Sequence, residues 1–315
     1  MILFVVSGLP SAFVMRNNLS WIRNGVTVAG CQTNGAQSHQ LNNAYGIFID
    51  DDETIYVADT GNHRIVEWTK GATKGKVVAG GNGKGNRNDQ LSSPKNVVLD
   101  RQNNCLIICD SGNKRVVRWY HRRDLHGEIL LSNIECYGVA LDHDGYLYVS
   151  DIGNHQIVRC QIADKVSTVV AGGHGKGNRL DQLGLPYYIF VDQDRSIYVS
   201  DAANHRVMKW IKGAKEGILV AGGRDPGNSL TQFDCPRGIV VDHSGAVYIA
   251  DDNNHRIMRW SQGSKQGSVV AGGNGKGKKD NQISGPTGLA IDSHGNLYVI
   301  DFDNDRVQKF LVNSS

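Results

Sequence analysis

The chain has 315 residues, 34 Lys plus Arg against 31 Asp plus Glu, a formal net charge of +3, and 38 glycines. A charge this close to neutral gives no footprint for nucleic acid or for an acidic partner, and 40% apolar content is enough for a packed core. The glycine excess lies in recurring turns, which excludes a disordered linker and marks a turn-rich β protein.

Residues 1–20 read as an N-terminal segment outside the folded unit. The run Ile2–Val6 is too short to span a bilayer. It is compatible with the core of a signal peptide but lacks the basic residues that precede one. Tail and signal remnant therefore both stay open, and the compartment is left unassigned. The first predicted strand, Val26–Gly30, stands alone before any repeat.

A six-fold phrase follows: an apolar run, Asp, two loop residues, Asn, usually His, and Arg. It reads VADTGNHR at Val57–Arg64, ICDSGNKR at Ile108–Arg115, VSDIGNHQ at Val149–Gln156, VSDAANHR at Val199–Arg206, IADDNNHR at Ile249–Arg256 and VIDFDNDR at Val299–Arg306. The aspartates Asp59, Asp110, Asp151, Asp201, Asp251 and Asp301 are spaced 51, 41, 50, 50 and 50 apart. A fixed period of this size means a repeat architecture. One unit reads as four strands: Arg237–Asp242, Ala246–Ala250, Arg256–Trp260 and Ser268–Ala271, separated by Gly, Asp and Asn turns. The strands are continuously apolar and need cover on both faces, which radially packed sheets provide. Bulky residues nine positions after each Asp (Trp68, Trp119, Trp210, Trp260, Phe310, with Cys160 in the third unit) are expected between blades.

The expected fold is all-β: a six-bladed β-propeller of four-stranded antiparallel blades over 21–312, with 313–315 as a C-terminal tail. The sixth unit stops after its third strand. Val26–Gly30 resembles the fourth strands of the other units and is expected to close the ring.

The phrase VADTGNHRI, with P-x-G-I-x-x-D and G-x-[LIV]-Y-V before it, resembles the NHL repeat over nearly all of Trp21–Val312. The resemblance implies a six-bladed propeller of a kind found in RNA-binding proteins, ubiquitin ligases, peptide-amidating lyases and receptor or sensor ectodomains. The RING and B-box cysteine modules of the ligases are absent from this sequence.

Asp59 with His63, His155, His205 and His255 invites a metal reading. The histidines fall on different blades, about 10 Å or more apart, whereas zinc needs donors at about 2 Å. Each Asp is expected instead to accept backbone N–H groups of its turn and to pair with the following Arg. The Gly-rich loops Gly80–Asn86, Gly172–Asn178, Gly222–Asn228 and Gly272–Lys278 lack the ending and the helix of a phosphate loop, so they read as turns that need positive φ. The third unit lacks this loop, hence its short spacing. The rim carries Lys84, Arg87, Lys176, Arg179, Arg224 and Lys276.

None of the six cysteines recurs at one position of the repeat, and no C-x-x-C pair is present. Cys105 and Cys109 lie about 13 Å apart along one strand, too far to bridge each other. The cysteines are expected mostly as buried thiols filling single gaps.

The residue before the Gly of P-x-G opens each innermost strand, at the channel mouth. These residues are Tyr45, Lys95, Tyr137, Tyr187, Arg237 and Thr287. The amidating lyases that the resemblance brings in place zinc-binding histidines near this position. Lactonase-like propellers place carboxylates and amides there around calcium. This chain has neither set, so no catalytic residue, metal or cofactor carries over. The expectation is a non-enzymatic, monomeric scaffold for a protein or peptide partner, bound at the loop-rich face. Single-stranded RNA is the alternative, stacking on the tyrosines beside Lys278, Lys279 and the rim cations. A metal-dependent lyase or lactonase-type enzyme ranks third.

Overall fold

A short turn after each anchoring aspartate sets the geometry of every blade. In five of the six it is a single 3-10 turn, such as Thr60–Asn62 or Asp252–Asn254. The residue after it is left-handed in all six units: His63 (φ 55°), Lys114 (50°), His155 (55°), His205 (50°), His255 (53°) and Asp305 (50°). His and Asp tolerate this region better than branched side chains, and the reversal lets the third strand pair back on the second.

The computed structural model describes residues 20–31, 33–120, 126–164, 166–223 and 225–313. The segment 1–19, including Ile2–Val6, lies outside the described residues, as do the rim residue Arg224 and the last two of the 313–315 tail. Among the described residues, twenty-four strands form six four-stranded antiparallel sheets. Blade 5 comprises Pro236–Val241, Val247–Asp251, Arg256–Trp260 and Ser268–Gly272, in that order across the sheet. Blade 6 contributes Pro286–Ile291, Leu297–Asp301 and Arg306–Phe310, and its outer strand is Val26–Gly30. Val26 pairs with Lys309 and Gly30 with Arg306, with a bulge between Thr27 and Ala29. The bulge matches those between the third and fourth strands of the other blades, as at Ile257/Met258. The closure expected from the sequence is therefore present. An isolated bridge from Trp21 to Val312 extends it.

Trp68, Trp119, Trp210, Trp260 and Phe310 are all buried, as is Cys160. Apart from the partly buried Tyr146 of blade 3, the second strands are buried along their whole length, as in Ile55–Asp59 and Leu297–Asp301. Two-sided cover by neighbouring blades is what their continuous apolar runs demand.

One expectation fails. Cys109 is not a lone thiol: it forms a disulfide with Cys136, Cα–Cα 5.7 Å, across the seam between blades 2 and 3. Cys109 sits on the second strand of blade 2, Cys105–Asp110, and Cys136 on the first strand of blade 3, Cys136–Leu141. Comparison within a strand could not find a pair that only blade packing brings together. Cys136 holds the position that is proline at Pro94, Pro186, Pro236 and Pro286, at the one seam whose Gly-rich loop is missing. The bridge thus ties the two blades covalently where that loop is absent. Cys31, Cys105, Cys160 and Cys235 are free; Cys105 and Cys160 are buried and Cys31 and Cys235 partly so. A Cys109→Ser, Cys136→Ser variant is expected to lose roughly 3 kcal/mol of stability, the cost of an unclosed loop of this length. Urea unfolding with and without reductant measures it; identical midpoints would contradict the assignment.

Candidate functional site

The repeated Asp-x-x-Asn-His-Arg is a clasp that fixes each entering loop. Asp59 accepts the backbone N–H of Asn42 (2.8 Å), the Nδ2 of Asn62 (2.8 Å) and the Nε of Arg64 (2.7 Å). The Arg64 guanidinium then donates to the carbonyls of Ala36, Gln37 and Gln40. Asp201 and Arg206 repeat this on Asn178, Arg179 and Gln182, and Asp251 and Arg256 on Asn228, Ser229 and Gln232. The Asp–Arg pairing follows expectation, but the backbone N–H mostly comes from the loop entering the blade and not from the turn of the Asp itself. Blade 3 is the exception. Asp151 takes Asn154 of its own turn and, in place of Arg, Gln156 at 3.3 Å. Burial raises the carboxyl pKa of Asp59, Asp110 and Asp251 despite these donors.

The left-handed residue reaches the next blade. Nδ1 of His63, His205 and His255 accepts the N–H of Ser93 (3.1 Å), Cys235 (3.2 Å) and Gly285 (3.1 Å). His155 Nδ1 lies 2.6 Å from the Gly184 carbonyl. Lys114 pairs with Glu135, and Asp305 accepts the N–H of Asn43 at 3.1 Å across the ring closure. The histidines are rungs between blades, which accounts for Lys and Asp serving equally in two copies. Burial lowers the His63 pKa, in keeping with an acceptor that must stay neutral.

The Gly-rich loops are turns, with positive φ at Gly80, Gly81 and Gly83 and their equivalents. Each is threaded by a glutamine; Gln90 Nε2 donates to the Asn82 carbonyl at 2.9 Å. Rim cations are largely neutralised in place: Arg87 on Asp89 (2.9 Å), Arg179 on Asp181 (3.0 Å) and Lys276 on Asp303 (2.9 Å). Lys84 and Lys176 lie in short bridges to Leu91 and Leu183.

The mouth residues do converge. Tyr137 and Tyr187 stack at 4.2 Å, and Tyr45 meets Tyr137 edge-on at 5.8 Å. Lys95 Nζ sits 3.3 Å from the centre of the Tyr45 ring and 5.7 Å from that of Tyr137. Arg237 donates to the Tyr137 hydroxyl at 2.8 Å and lies 5.6 Å from Tyr45 and 5.3 Å from Tyr187. Lys95 and Arg237 start on opposite blades, yet both lie over the Tyr45 ring. The Thr287 hydroxyl is turned onto the Tyr45 carbonyl at 3.1 Å, so it braces the cluster from below. Tyr188 does the same from across the ring, its hydroxyl 2.7 Å from the Tyr45 carbonyl. Beneath lies an apolar cavity of only about 60 Å³, lined by Phe48, Val98, Phe190 and Leu289 among others. The accessible chemistry is therefore at the mouth and not down the channel.

The sequence reading missed Asp252 and Phe302. Asp252 pairs with Arg237 at 2.5 Å, and Phe302 packs on Tyr45 at 5.0 Å. Both directly follow an anchoring Asp, where other units have Thr60, Ser111, Ile152 and Ala202. Variation at that one position of an otherwise regular phrase was the available signal. Asp252 neutralises Arg237. Among the described residues no carboxylate pairs with Lys95, and burial together with Arg237 lowers its pKa to about 8.

One cluster of metal-ligand type occurs among the described residues: Glu53, Asp292 and His294, on the opposite face. Lys309 Nζ already lies 2.8 Å from Glu53 and 3.3 Å from Asp292, and Lys70 2.6 Å from Glu53. These ammonium groups hold the Glu53 pKa down at about 2 although burial opposes them. The carboxylates have their cation from the protein itself. No helix among the described residues is long and apolar enough to cross a membrane.

The family model of the NHL repeat matches residues 233–259 and 284–310. No curated protein matches the chain in sequence. Among solved structures, an auxiliary nutrient binding protein from Bacteroides thetaiotaomicron is similar at a TM-score of 0.72 and 15% identity, covering 94% of this chain and 77% of that one. Virginiamycin B lyase from Staphylococcus aureus is similar at 0.56 and 12%, covering 89% and 98%. A chain of a nidogen–laminin complex is similar at 0.57 and 16%, covering 72% and 79%. At these identities the likeness is one of fold. With the repeat matched by its family model in blades 5 and 6 and the phrase repeated in six blades, the chain is a six-bladed β-propeller that carries NHL repeats.

Proposed function

We propose that this propeller is a non-enzymatic binding module that takes a protein or peptide partner on its loop-rich face, seated on Tyr45, Lys95, Tyr137, Tyr187 and Arg237. The observation that carries the reading is Lys95: a half-buried ammonium, 3.3 Å over an aromatic face, with no counter-charge among the described residues. A partly desolvated cation gains more from an incoming anion than a solvated one. The tyrosines beside it supply apolar area and hydroxyl groups. The ligand group is therefore a carboxylate, from an acidic side chain or a chain terminus, with apolar flanks. The RNA alternative loses ground because Arg87, Arg179 and Lys276 are already paired.

The test is selection of a displayed random-peptide library on the whole chain, followed by affinities for Lys95→Met. Enriched peptides are expected to carry a carboxylate, and Lys95→Met to weaken them at least tenfold, the range of a charged hydrogen bond. Binding needs the protonated amine, so affinity should fall as pH rises through about 8. Equal affinity for Lys95→Met would remove the reading. Salt-sensitive binding of a random single-stranded RNA pool, lost in Lys95→Ala, Arg237→Ala, would replace it with RNA recognition.

A further inference from the structure

On the face opposite the mouth, where each first strand turns into the second, a groove runs between neighbouring blades. One wall carries the residue three before the anchoring Asp: Tyr56, Ile107, Tyr148, Tyr198, Tyr248 or Tyr298. The other carries a left-handed turn residue of the following blade: Asn104 (φ 47°), Gly145 (79°), Arg195 (60°), Gly245 (76°), Gly295 (83°) or Glu53 (64°) in the same order. Where that residue has a long side chain, it fills the groove. Arg195 turns back onto Asp142 and Asp144 beside Tyr148. Glu53 accepts from the Tyr298 hydroxyl at 3.4 Å.

Two grooves combine a tyrosine wall with a glycine turn. The one between blades 5 and 6 holds Trp21. Its Nε1 donates to the Gly295 carbonyl at 3.0 Å, and its ring meets Tyr248 edge-on at 5.5 Å and 77°. Trp21 is 7% exposed there. The one between blades 4 and 5 has the same Tyr198 and Gly245 fifty residues earlier, and it is a cavity of about 260 Å³, lined also by Asp192, Asp194, Lys209 and Gln262. That volume falls just below the usual range for small-molecule pockets, about 300 Å³ and up, and suits a single large side chain.

We infer that the groove between blades 4 and 5 is a second binding site, which takes a tryptophan side chain of a partner polypeptide, its indole N–H on the Gly245 carbonyl and its edge on Tyr198. The chain itself demonstrates the fit in the neighbouring groove. A residue close to that tryptophan in the partner is basic. Asp192 and Asp194 stand where Asp142 and Asp144 receive the Arg195 guanidinium; of these two carboxylates Lys209 reaches Asp192, at 3.2 Å, and it also donates to the Tyr198 hydroxyl at 2.8 Å. This site lies away from the channel mouth and stands or falls separately from the reading given to it.

The probe is the acetylated, amidated hexapeptide Ser-Trp-Ile-Arg-Asn-Gly, identical to residues 20–25, labelled for fluorescence polarisation with the whole chain. Saturable binding is expected, lost when Trp is replaced by Ala and weakened about fivefold to tenfold by 1-methyltryptophan, which removes one hydrogen bond. Gly245→Arg should abolish binding, its side chain closing the groove on Asp192 and Asp194. Gly245→Asn, with the residue that blade 2 carries at Asn104, is the second variant should the first fail to fold, and should weaken binding at least tenfold. Lys95→Met should leave it unchanged. No saturable binding at millimolar peptide, full binding by a folded Gly245 variant, or loss in Lys95→Met would each overturn the proposal.

Discussion

Deleting Trp21–Gly30 is expected to abolish cooperative unfolding of the propeller. The segment is the outer strand of blade 6, and its removal bares the third strand, Arg306–Phe310, as an open edge beside a split ring. Trp21 alone carries a large share. It is buried against Tyr248, its indole N–H is satisfied, and Trp21→Ala should cost about 3–5 kcal/mol, as for other large aromatic truncations. Gly25 and Gly30 add a further constraint. At Gly30 φ is +75°, and a Cβ there would collide with the Asp305 carbonyl. With total stabilities of about 5–15 kcal/mol, loss of the whole strand leaves little margin. Circular dichroism melts with size-exclusion chromatography test it. A deletion that melts sharply at the parent temperature, as a monomer, would mean that the ring does not depend on this strand.

The second large effect is expected at the clasp. In Arg206→Ala, Asp201 is left with no exposure and without its guanidinium, and the carbonyls of Asn178, Arg179 and Gln182 lose their donor. Stranding a buried charge costs about 3–5 kcal/mol. Removing both partners, as in Asp201→Ala, Arg206→Met, should cost less than Arg206→Ala alone, because no orphan charge remains. Blade 3 supplies the natural comparison. It has Gln156 and a short entering loop with no row of carbonyls to collect, so Gln156→Arg should not stabilise it. Urea midpoints of the three variants beside the parent decide the matter. A double variant worse than the single one would assign the cost to packing.

The two effects share a cause that bears on binding. Clasps and rungs cross-link the loops around the mouth cluster, so the proposed partner would meet side chains already held in place. Rigid support lowers the ordering cost of binding.

Six phrases at a period near 50 determined the blade count, the order of strands and the closure by Val26–Gly30, since each follows from chain-local pattern and strand periodicity. The mouth positions were also legible, because the residue opening each innermost strand is set by the same register. Tertiary structure alone decided which side chains meet. The Cys109–Cys136 bridge, the Asp252–Arg237 pair, the reach of both Lys95 and Arg237 to Tyr45, and the seat of Trp21 against Tyr248 all join different blades or different strands. Separations of 15 to 227 residues in the chain close to contact only when strands and blades pack, and no local spacing encodes them. Whether a groove is filled depends on the turn residue of one blade and, between blades 5 and 6, on Trp21 from the far end of the chain, and both show only against the neighbouring blade.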